Sequence, residues 1–233
     1  MDMNEYRTGV RVGAPVGLGY FSVSFGFGAL AVTRGLRALD ATLISAVNLT
    51  SAGQFAGLEV IVENSGLWLM ILTQLIINSR YALMSLALSQ RMGQKIGVVP
   101  RLCIAFINTD EVFALAMARQ RELTVPFLYG LGLLPIIGWV SGTLFGALAG
   151  SILPASIGTA LGVMLYGMFV AIVIPPAKEE RSVAVAALLA LVFSCLFAWV
   201  PGLKNAPSGT PIVICTVAAA AICAALFPVE EEA

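Results

Sequence analysis

Long apolar runs alternate along this chain with short polar or charged intervals. Residues 12–33 contain no Asp, Glu, Lys or Arg, and the same holds for 123–177, 182–203 and 205–229. The runs 41–58 and 64–79 are shorter, and each ends at a single charge, Glu59 and Arg80. A lipid-spanning helix needs roughly 20 largely apolar residues. The pattern therefore predicts seven transmembrane segments, at 10–33, 41–62, 66–90, 126–150, 156–176, 182–200 and 209–227. An eighth candidate, 101–119, is interrupted by Asn108, Thr109, Asp110 and Glu111. Between 123 and 177 there is room for two spans with a turn at Gly150, Ser151 and Pro154. The runs are continuous rather than alternating at period two, which favours helices over a transmembrane barrel and predicts an all-α membrane protein, a helical bundle of seven or eight segments.

Composition strengthens this picture. Charged residues make up 11% of the chain, against about a quarter in soluble domains, hydrophobic residues make up 59%, and the mean hydropathy is +0.93. Trp68 and Tyr129 near segment starts and Trp199 at a segment end suit interfacial anchors, with ordinary core packing as the lesser alternative. Met1 to Arg11 is polar, and the stretch from Val12 is too long and glycine-rich for a cleavable signal, so the first helix is expected to remain. Cys103, Cys195, Cys215 and Cys223 lie inside apolar segments at spacings that match no zinc or redox pattern, and read as small reduced hydrophobes. No histidine is present. No metal or other cofactor is expected, and any proton coupling falls to carboxylates or water. Zero net charge and the lack of a phosphate-cradling glycine loop give no support to nucleic-acid binding.

Lys and Arg set the expected orientation. If all eight candidates cross, the basic residues divide evenly between the two sides. If 101–119 is instead in-plane or re-entrant and the N-terminus lies outside, nine basic residues fall inside, against Arg7, Arg11 and Lys204 outside. Seven full spans are preferred on that ground. An internal repeat points the same way: Phe27-Gly28-Ala29-Leu30-Ala31 recurs as Phe145-Gly146-Ala147-Leu148-Ala149, each copy with a proline upstream, Pro15 and Pro135. The chain then reads as one transporter domain over 1–233, with repeat one at about 10–90, a linker segment at 91–125, repeat two at about 126–200 and a final helix at 209–227. A non-crossing linker would invert the second three-helix group relative to the first.

Glycines at four-residue steps, Gly9, Gly13 and Gly17, then Gly138, Gly142, Gly146 and Gly150, give two helices smooth ridges for close packing. A functional variant of this reading has Pro15, with Gly17 and Gly19, breaking the first helix and freeing backbone groups for a substrate. In the third segment Gln74, Asn78, Tyr81, Ser85 and Ser89 form one polar stripe, which either bonds neighbouring helices or lines a polar path. Arg80 points to another face, and three readings stay open for it: it pairs a buried acid, holds a substrate carboxylate, or reaches an interface. Ser45, Asn48, Ser51, Gln54 and Glu59, beside Gly53 and Gly57, mark the second segment as the place to expect a mid-membrane break. Asn108 or Thr109 could cap a short helix with Asp110 and Glu111 in its first turn, which also fits a broken, re-entrant segment.

At these positions the chain resembles a known family. The run Ser51-Ala52-Gly53-Gln54-Phe55-Ala56-Gly57, then Asn78-Ser79-Arg80-Tyr81, then Thr109-Asp110-Glu111 resemble the signatures of the AzlC-type large subunit of branched-chain amino acid exporters. Family members often carry Leu and His where this chain has Ser79 and Tyr81, which puts an imidazole-based mechanism in doubt here. The resemblance implies export of Leu, Ile, Val and sometimes Met across the bacterial inner membrane, driven by protons, together with a small AzlD-type membrane subunit of about four helices.

The reading is then a secondary exporter rather than an enzyme, since no paired catalytic motif is present; a passive channel or structural membrane module is the alternative. A zwitterion needs a cation or helix N-terminus for its carboxylate, an acceptor for its ammonium and an apolar pocket. The expected substrate-binding residues are Pro15, Ser51, Gly53, Gln54, Phe55, Asn78 and Arg80, with Phe25 as a further apolar wall, and Asp110 and Glu111 are the expected proton-coupling acids.

Overall fold

The computed structural model describes residues 2–92, 96–150, 170, 173–174, 176–206 and 209–228. The predicted segment 156–176 lies almost wholly outside them. Among the described residues the regular elements are all helices: α1 (Met3–Thr33), α2 (Ala38–Val47), α3 (Ala52–Val62), α4 (Leu67–Arg91), α5 (Val98–Ile107), α6 (Asp110–Ala118), α7 (Val125–Gly150), α8 (Arg181–Trp199) and α9 (Gly209–Leu226). Of these, α1, α4, α7 and α8 are long and apolar enough to cross a bilayer. The chain forms two compact units, Met1–Gln54 with Asn78–Gly162, and Phe55–Ile77 with Val163–Ala233.

The first unit is built on α1. Asp2 caps its start, its carboxylate accepting from the amides of Asn4 at 2.9 Å and Glu5 at 3.4 Å. Gly35, at φ +99°, ends it: the Gly35 amide bonds Val32 O and the Leu36 amide bonds Ala31 O, both at 3.0 Å, the two-bond closure that favours a glycine at this position. Between these ends α1 runs unbroken through Pro15. The variant reading, a break at Pro15, is not what forms, and Pro15 itself is exposed. The flanking Gly13 and Gly17 lie against Leu131 and Leu134 of α7, so interhelical packing holds the helix straight across the one backbone bond that proline removes.

The contact between α1 and α7 is made backbone to backbone. A Cβ added at Gly9 would strike the carbonyl of Phe127, at Gly13 that of Leu131, and at Gly28 that of Thr143; from the other side, Gly138 abuts Gly17, Gly146 abuts Phe25 and Gly150 abuts Ala29. Both glycine ridges predicted from the sequence are thus used, meeting glycine to glycine at Gly17 and Gly138 and otherwise facing non-glycine backbone of the opposite helix. Residue numbers rise together along both helices, so α1 and α7 are parallel. This corrects the expectation that the two repeat copies are inverted, because the helices carrying them run in the same sense.

The segment 101–119 is two helices that double back. Arg101 of α5 donates to Ser89 Oγ at 2.7 Å and Asn108 donates to Ser85 Oγ at 3.2 Å, so α5 runs against α4. After the break, Asp110 pairs with Arg80 and the Arg91 guanidinium donates to the carbonyls of Met117 and Arg119, so α6 runs with α4. The same α6 runs against α1, with Glu111 bonded to Tyr20 and Arg119 to Glu5. Residues 41–62 are likewise divided, into α2 and α3, at the place the polar residues marked. Asn48 Oδ1 accepts from Thr50 N at 2.9 Å and Thr50 Oγ1 at 2.6 Å, and Ser51 takes φ +45°. Each short helix spans about 15 Å at 1.5 Å per residue, half a hydrocarbon core. Parallel α1 and α7 require an odd number of crossings between them. A crossing 41–62 followed by a crossing α4 and a non-crossing 101–119 would make that number even, so the seven-span arrangement does not fit.

The core of this unit gathers Leu88, Met92, Ile104, Val112, Ala116, Leu123, Phe127, Leu128 and Leu131, with the partly buried Tyr129 packed against it. In the second unit Gly57 of α3 lies beside Gln74 and Met70 of α4, and α8 packs on α9 with Cys223 near the Ser182 carbonyl. No described residue of α8 is buried, and Trp68 and Trp199 are exposed, as lipid-facing and interfacial positions require.

Replacing Gly28 by Leu should therefore cost at least about 3 kcal/mol, the upper end of overpacking penalties, because the obstacle is α7 backbone rather than a movable side chain. Gly26→Ala on the same helix, where an added methyl meets nothing within 4 Å, should be neutral or stabilise by about 0.5–1 kcal/mol. Thermal unfolding of the detergent-solubilised protein measures both.

Candidate functional site

The two helix breaks of the first unit meet at one cavity of about 240 Å³. Asn48, Leu49 and Thr50 from the α2–α3 break and Asn108 and Thr109 from the α5–α6 break line it, with Val47, Ala105 and Phe106 from the helix ends and Tyr81 from α4. Its walls are mostly apolar.

One residue away from that lining, on each side, stands a charged pair. Arg80 Nη1 lies 2.8 Å from Asp110 Oδ2, with both side chains close to half exposed, at 44% and 42%, and the guanidinium sits 5.2 Å from the Tyr81 ring centroid. Arg80 thus pairs with an acid, one that is half exposed rather than buried. Asp110 and Glu111 open α6, where acids complement the helix dipole. Neither carboxylate caps the helix, and Thr109 makes no side-chain cap bond. Asp110 turns to Arg80 and Glu111 to the Tyr20 hydroxyl, as expected for neighbours projecting about 100° apart on a helix.

Behind the cavity lies a closed ring of hydrogen bonds. Trp139 Nε1 donates to Gln54 Oε1 at 3.0 Å and Gln54 Nε2 donates to Ser45 Oγ at 2.5 Å. Ser45 Oγ meets Thr143 Oγ1 at 2.7 Å, and Thr143 Oγ1 donates to the Trp139 carbonyl at 3.0 Å. All four side chains are buried. Tyr20 packs edge to face on Trp139, with centroids 5.3 Å apart and planes at 68°, so Glu111 is joined to the ring through one aromatic contact.

A comparison with known families decides what kind of chain this is. Residues 15–153 match the family described as AzlC protein. The chain belongs to the AzlC family. It is 30% identical over 192 residues to the inner membrane protein YgaZ of Escherichia coli K12, covering 79% of this chain and 78% of the relative. It is 31% identical over 195 residues to an uncharacterized membrane protein of Archaeoglobus fulgidus, covering 82% and 85%. A Helicobacter pylori membrane protein is 28% identical over 137 residues, 58% of this chain and 59% of the relative. No solved structure matches. Family and relatives together make this a membrane protein with a transport-related role.

Within this AzlC chain the structure brings Arg80 and Asp110 together and places Gln54 in the buried ring, where both ends of its amide are already engaged. Ser51 holds the positive-φ turn, Gly53 is buried in the first turn of α3, and Asn78 is half-buried on α4. Phe55 is buried and belongs to the second unit, and Phe25 packs against Gly146 of α7. Ser85 and Ser89 of the predicted stripe bond the hairpin, while Tyr81 lines the cavity. Trp139, Tyr20, Thr143 and Asn108 were not anticipated as site residues. For Asn108 the neighbouring acids were a usable signal; for Trp139, inside a glycine-rich apolar run, there was none.

Trp139→Phe should destabilise the protein by about 1–3 kcal/mol, since Gln54 Oε1 is left buried without a donor. Gln54→Leu in the same chain should cost less than the sum of the two single changes, because the unpaired amide is removed along with its lost partner. Denaturation in detergent of the two single variants and the double variant reads out this coupling.

Proposed function

We propose that the protein is the large subunit of a secondary active exporter for branched-chain and similar neutral apolar amino acids, coupled to protons, in the bacterial inner membrane, acting with a small AzlD-type subunit. The observation that carries this reading is the meeting of two broken helices at a small, mainly apolar cavity beside the Arg80–Asp110 pair. Interrupted helices at mid-membrane are a common way for secondary transporters to bring helix ends and backbone polar groups to a solute. The cavity is smaller than the roughly 300–1,000 Å³ of drug-sized sites, which suits an amino acid. Arg80 can serve a carboxylate, Asp110 an ammonium or a proton. That the Escherichia coli relative is an inner membrane protein supports the location.

In this reading α1, α4 and α7 cross, and α2–α3 and α5–α6 enter from opposite sides and return. Each long helix is then followed by a re-entrant hairpin, and the inverted pair becomes α1–α3 with α4–α6. With further crossings at 156–176, α8 and α9, the N-terminal side collects Arg7, Arg11, Arg91, Lys95, Arg101, Arg119, Arg121, Lys178 and Arg181, against Arg34, Arg37 and Lys204 on the other. That bias favours a cytoplasmic N-terminus.

In a background lacking the four native cysteines, Arg37→Cys should be labelled from outside intact cells and Lys178→Cys only after permeabilisation; the reverse pattern would overturn the orientation. In vesicles preloaded with labelled leucine and carrying both subunits, a proton gradient should drive uphill efflux, and Ile, Val and Met should compete while Lys and Glu do not, since an apolar pocket separates side chains by only about 1–3 kcal/mol per methylene. Flux that never runs uphill would identify a channel, and full export without the small subunit would remove the partner. Asp110→Asn should lose gradient-driven efflux while still inserting; wild-type uphill export by that variant would move the coupling role to Glu111, then to Glu59.

A further inference from the structure

Tyr20 stands between the two helix breaks without lining the cavity at which they meet. Its ring is buried, 9% exposed, in a cluster with Trp139 and Leu49, and Leu49 belongs both to the α2–α3 break and to the cavity wall. Its hydroxyl donates to Glu111 Oε2 in the first turn of α6. One side chain of α1 therefore links the glycine-packed pair of long helices to the α5–α6 break.

No side-chain cap fixes the start of α6, since Thr109 makes no such bond. Its first turn is tied from two sides instead. Asp110 reaches Arg80 on α4 and Glu111 reaches Tyr20 on α1, as their angular separation of about 100° allows. A solute treats these ties differently. On the transport reading above, a zwitterion takes its place between Arg80 and Asp110, whose side chains are both close to half exposed, so the first tie parts whenever solute binds. The second, made to a hydroxyl on a buried ring, can stay closed. While it does, Asp110 remains where the solute's ammonium arrives, and ordering of that turn is not added to the cost of binding.

We propose that Tyr20 is a positioning residue for the transport site: through Glu111 its hydroxyl holds the first turn of α6, and with it Asp110, in place while the solute parts the Arg80–Asp110 pair. The assignment rests on the transport reading above and adds to it a residue outside the cavity lining. In this role Glu111 serves as a hydrogen-bond acceptor.

The test measures efflux from vesicles that carry both subunits and are preloaded with labelled leucine over a range of concentrations. Tyr20→Phe keeps the ring that packs on Trp139 and removes only the hydroxyl. It should raise the half-saturating leucine concentration by about tenfold, the worth of one hydrogen bond, and leave the maximal rate within about threefold of the wild type. Glu111→Ala should do the same, and the double variant should be no worse than either single one, because both changes remove one bond. Glu111→Gln returns an acceptor to the phenol and should recover most of the affinity that Glu111→Ala loses. A bond that serves stability alone would lower the unfolding temperature in detergent and the amount of working protein, and so the maximal rate, but not the half-saturating concentration. An unchanged half-saturating concentration in Tyr20→Phe, multiplied effects in the double variant, or a Glu111→Gln variant no better than Glu111→Ala would overturn the assignment. If Tyr20→Phe does not fold, the comparison of Glu111→Ala with Glu111→Gln decides it in the same terms. Wild-type vesicles that move no leucine would instead overturn the functional reading on which it rests.

Discussion

The glycine-lined contact between α1 and α7 brings two helix backbones closer than any side chain would permit, and the rest of the first unit depends on it. In lipid no hydrophobic force drives one apolar helix onto another, so association rests on close van der Waals contact and interhelical polar bonds. Glycines at four-residue spacing provide the first over the length of both helices, from Gly9 and Phe127 at one end to Ala29 and Gly150 at the other. The same approach encloses Trp139 and Thr143 against α1 and α2. Large polar-tipped side chains can be buried there because the backbones leave them only one place to go.

What that burial secures is the closed ring of Trp139, Gln54, Ser45 and Thr143. Each hydroxyl, amide and indole in it both fills space and answers its neighbour's hydrogen-bonding demand, so no member can turn away without leaving another unpaired. Ser45 lies in the last turn of α2 and Gln54 in the first turn of α3. Nine residues of continuous helix would hold these side chains too far apart to bond, so the ring fixes the α2–α3 break from behind while Asn48 fixes it locally. The α5–α6 break is held differently, through Ser85 and Ser89 of α4, Arg80, and Tyr20 on α1. Two interruptions of independent sequence are thus referred to one rigid pair of helices.

The long apolar runs, the break in the second segment and the doubling back near Asn108 were legible in the sequence, because lipid imposes length and charge limits that a residue pattern obeys directly. The glycine ridges were legible as ridges. Their pairing was not, since two smooth faces look alike whether their helices run together or opposed. This is also why the Phe27 and Phe145 repeats were read as inverted when the helices carrying them are parallel. At Pro15 close packing was the main reading and a break the variant, and packing against α7 is what forms. Arg80 carried three readings because a lone cation on a helix face does not name its partner, which is 30 residues further along the chain. Trp139 left no trace in periodicity, its function being set by Gln54 across a contact that no local pattern encodes.

Two ion pairs in the first unit show why only one belongs to the site. Arg119 and Glu5 are 12% and 21% exposed; the guanidinium makes two contacts to the carboxylate and lies 3.9 Å from the Phe127 ring centroid, and Thr124 Oγ1 also donates to that carboxylate. Removing either partner would strand a buried charge, so the pair acts as a strut between α1 and the α6–α7 junction. Arg80 and Asp110 are at least twice as exposed, joined by one short contact, and adjacent to the cavity lining. Both members stand open rather than packed away among side chains. On the proposed function this openness is what transport needs. A zwitterion brings a carboxylate for Arg80 and an ammonium for Asp110, so each residue exchanges one counter-charge for another and neither is left alone in the membrane. A solute with one charge would satisfy one partner and strand the other. The preference for neutral amino acids over Lys or Glu then follows from the ion pair itself, while the apolar walls decide among the neutral ones.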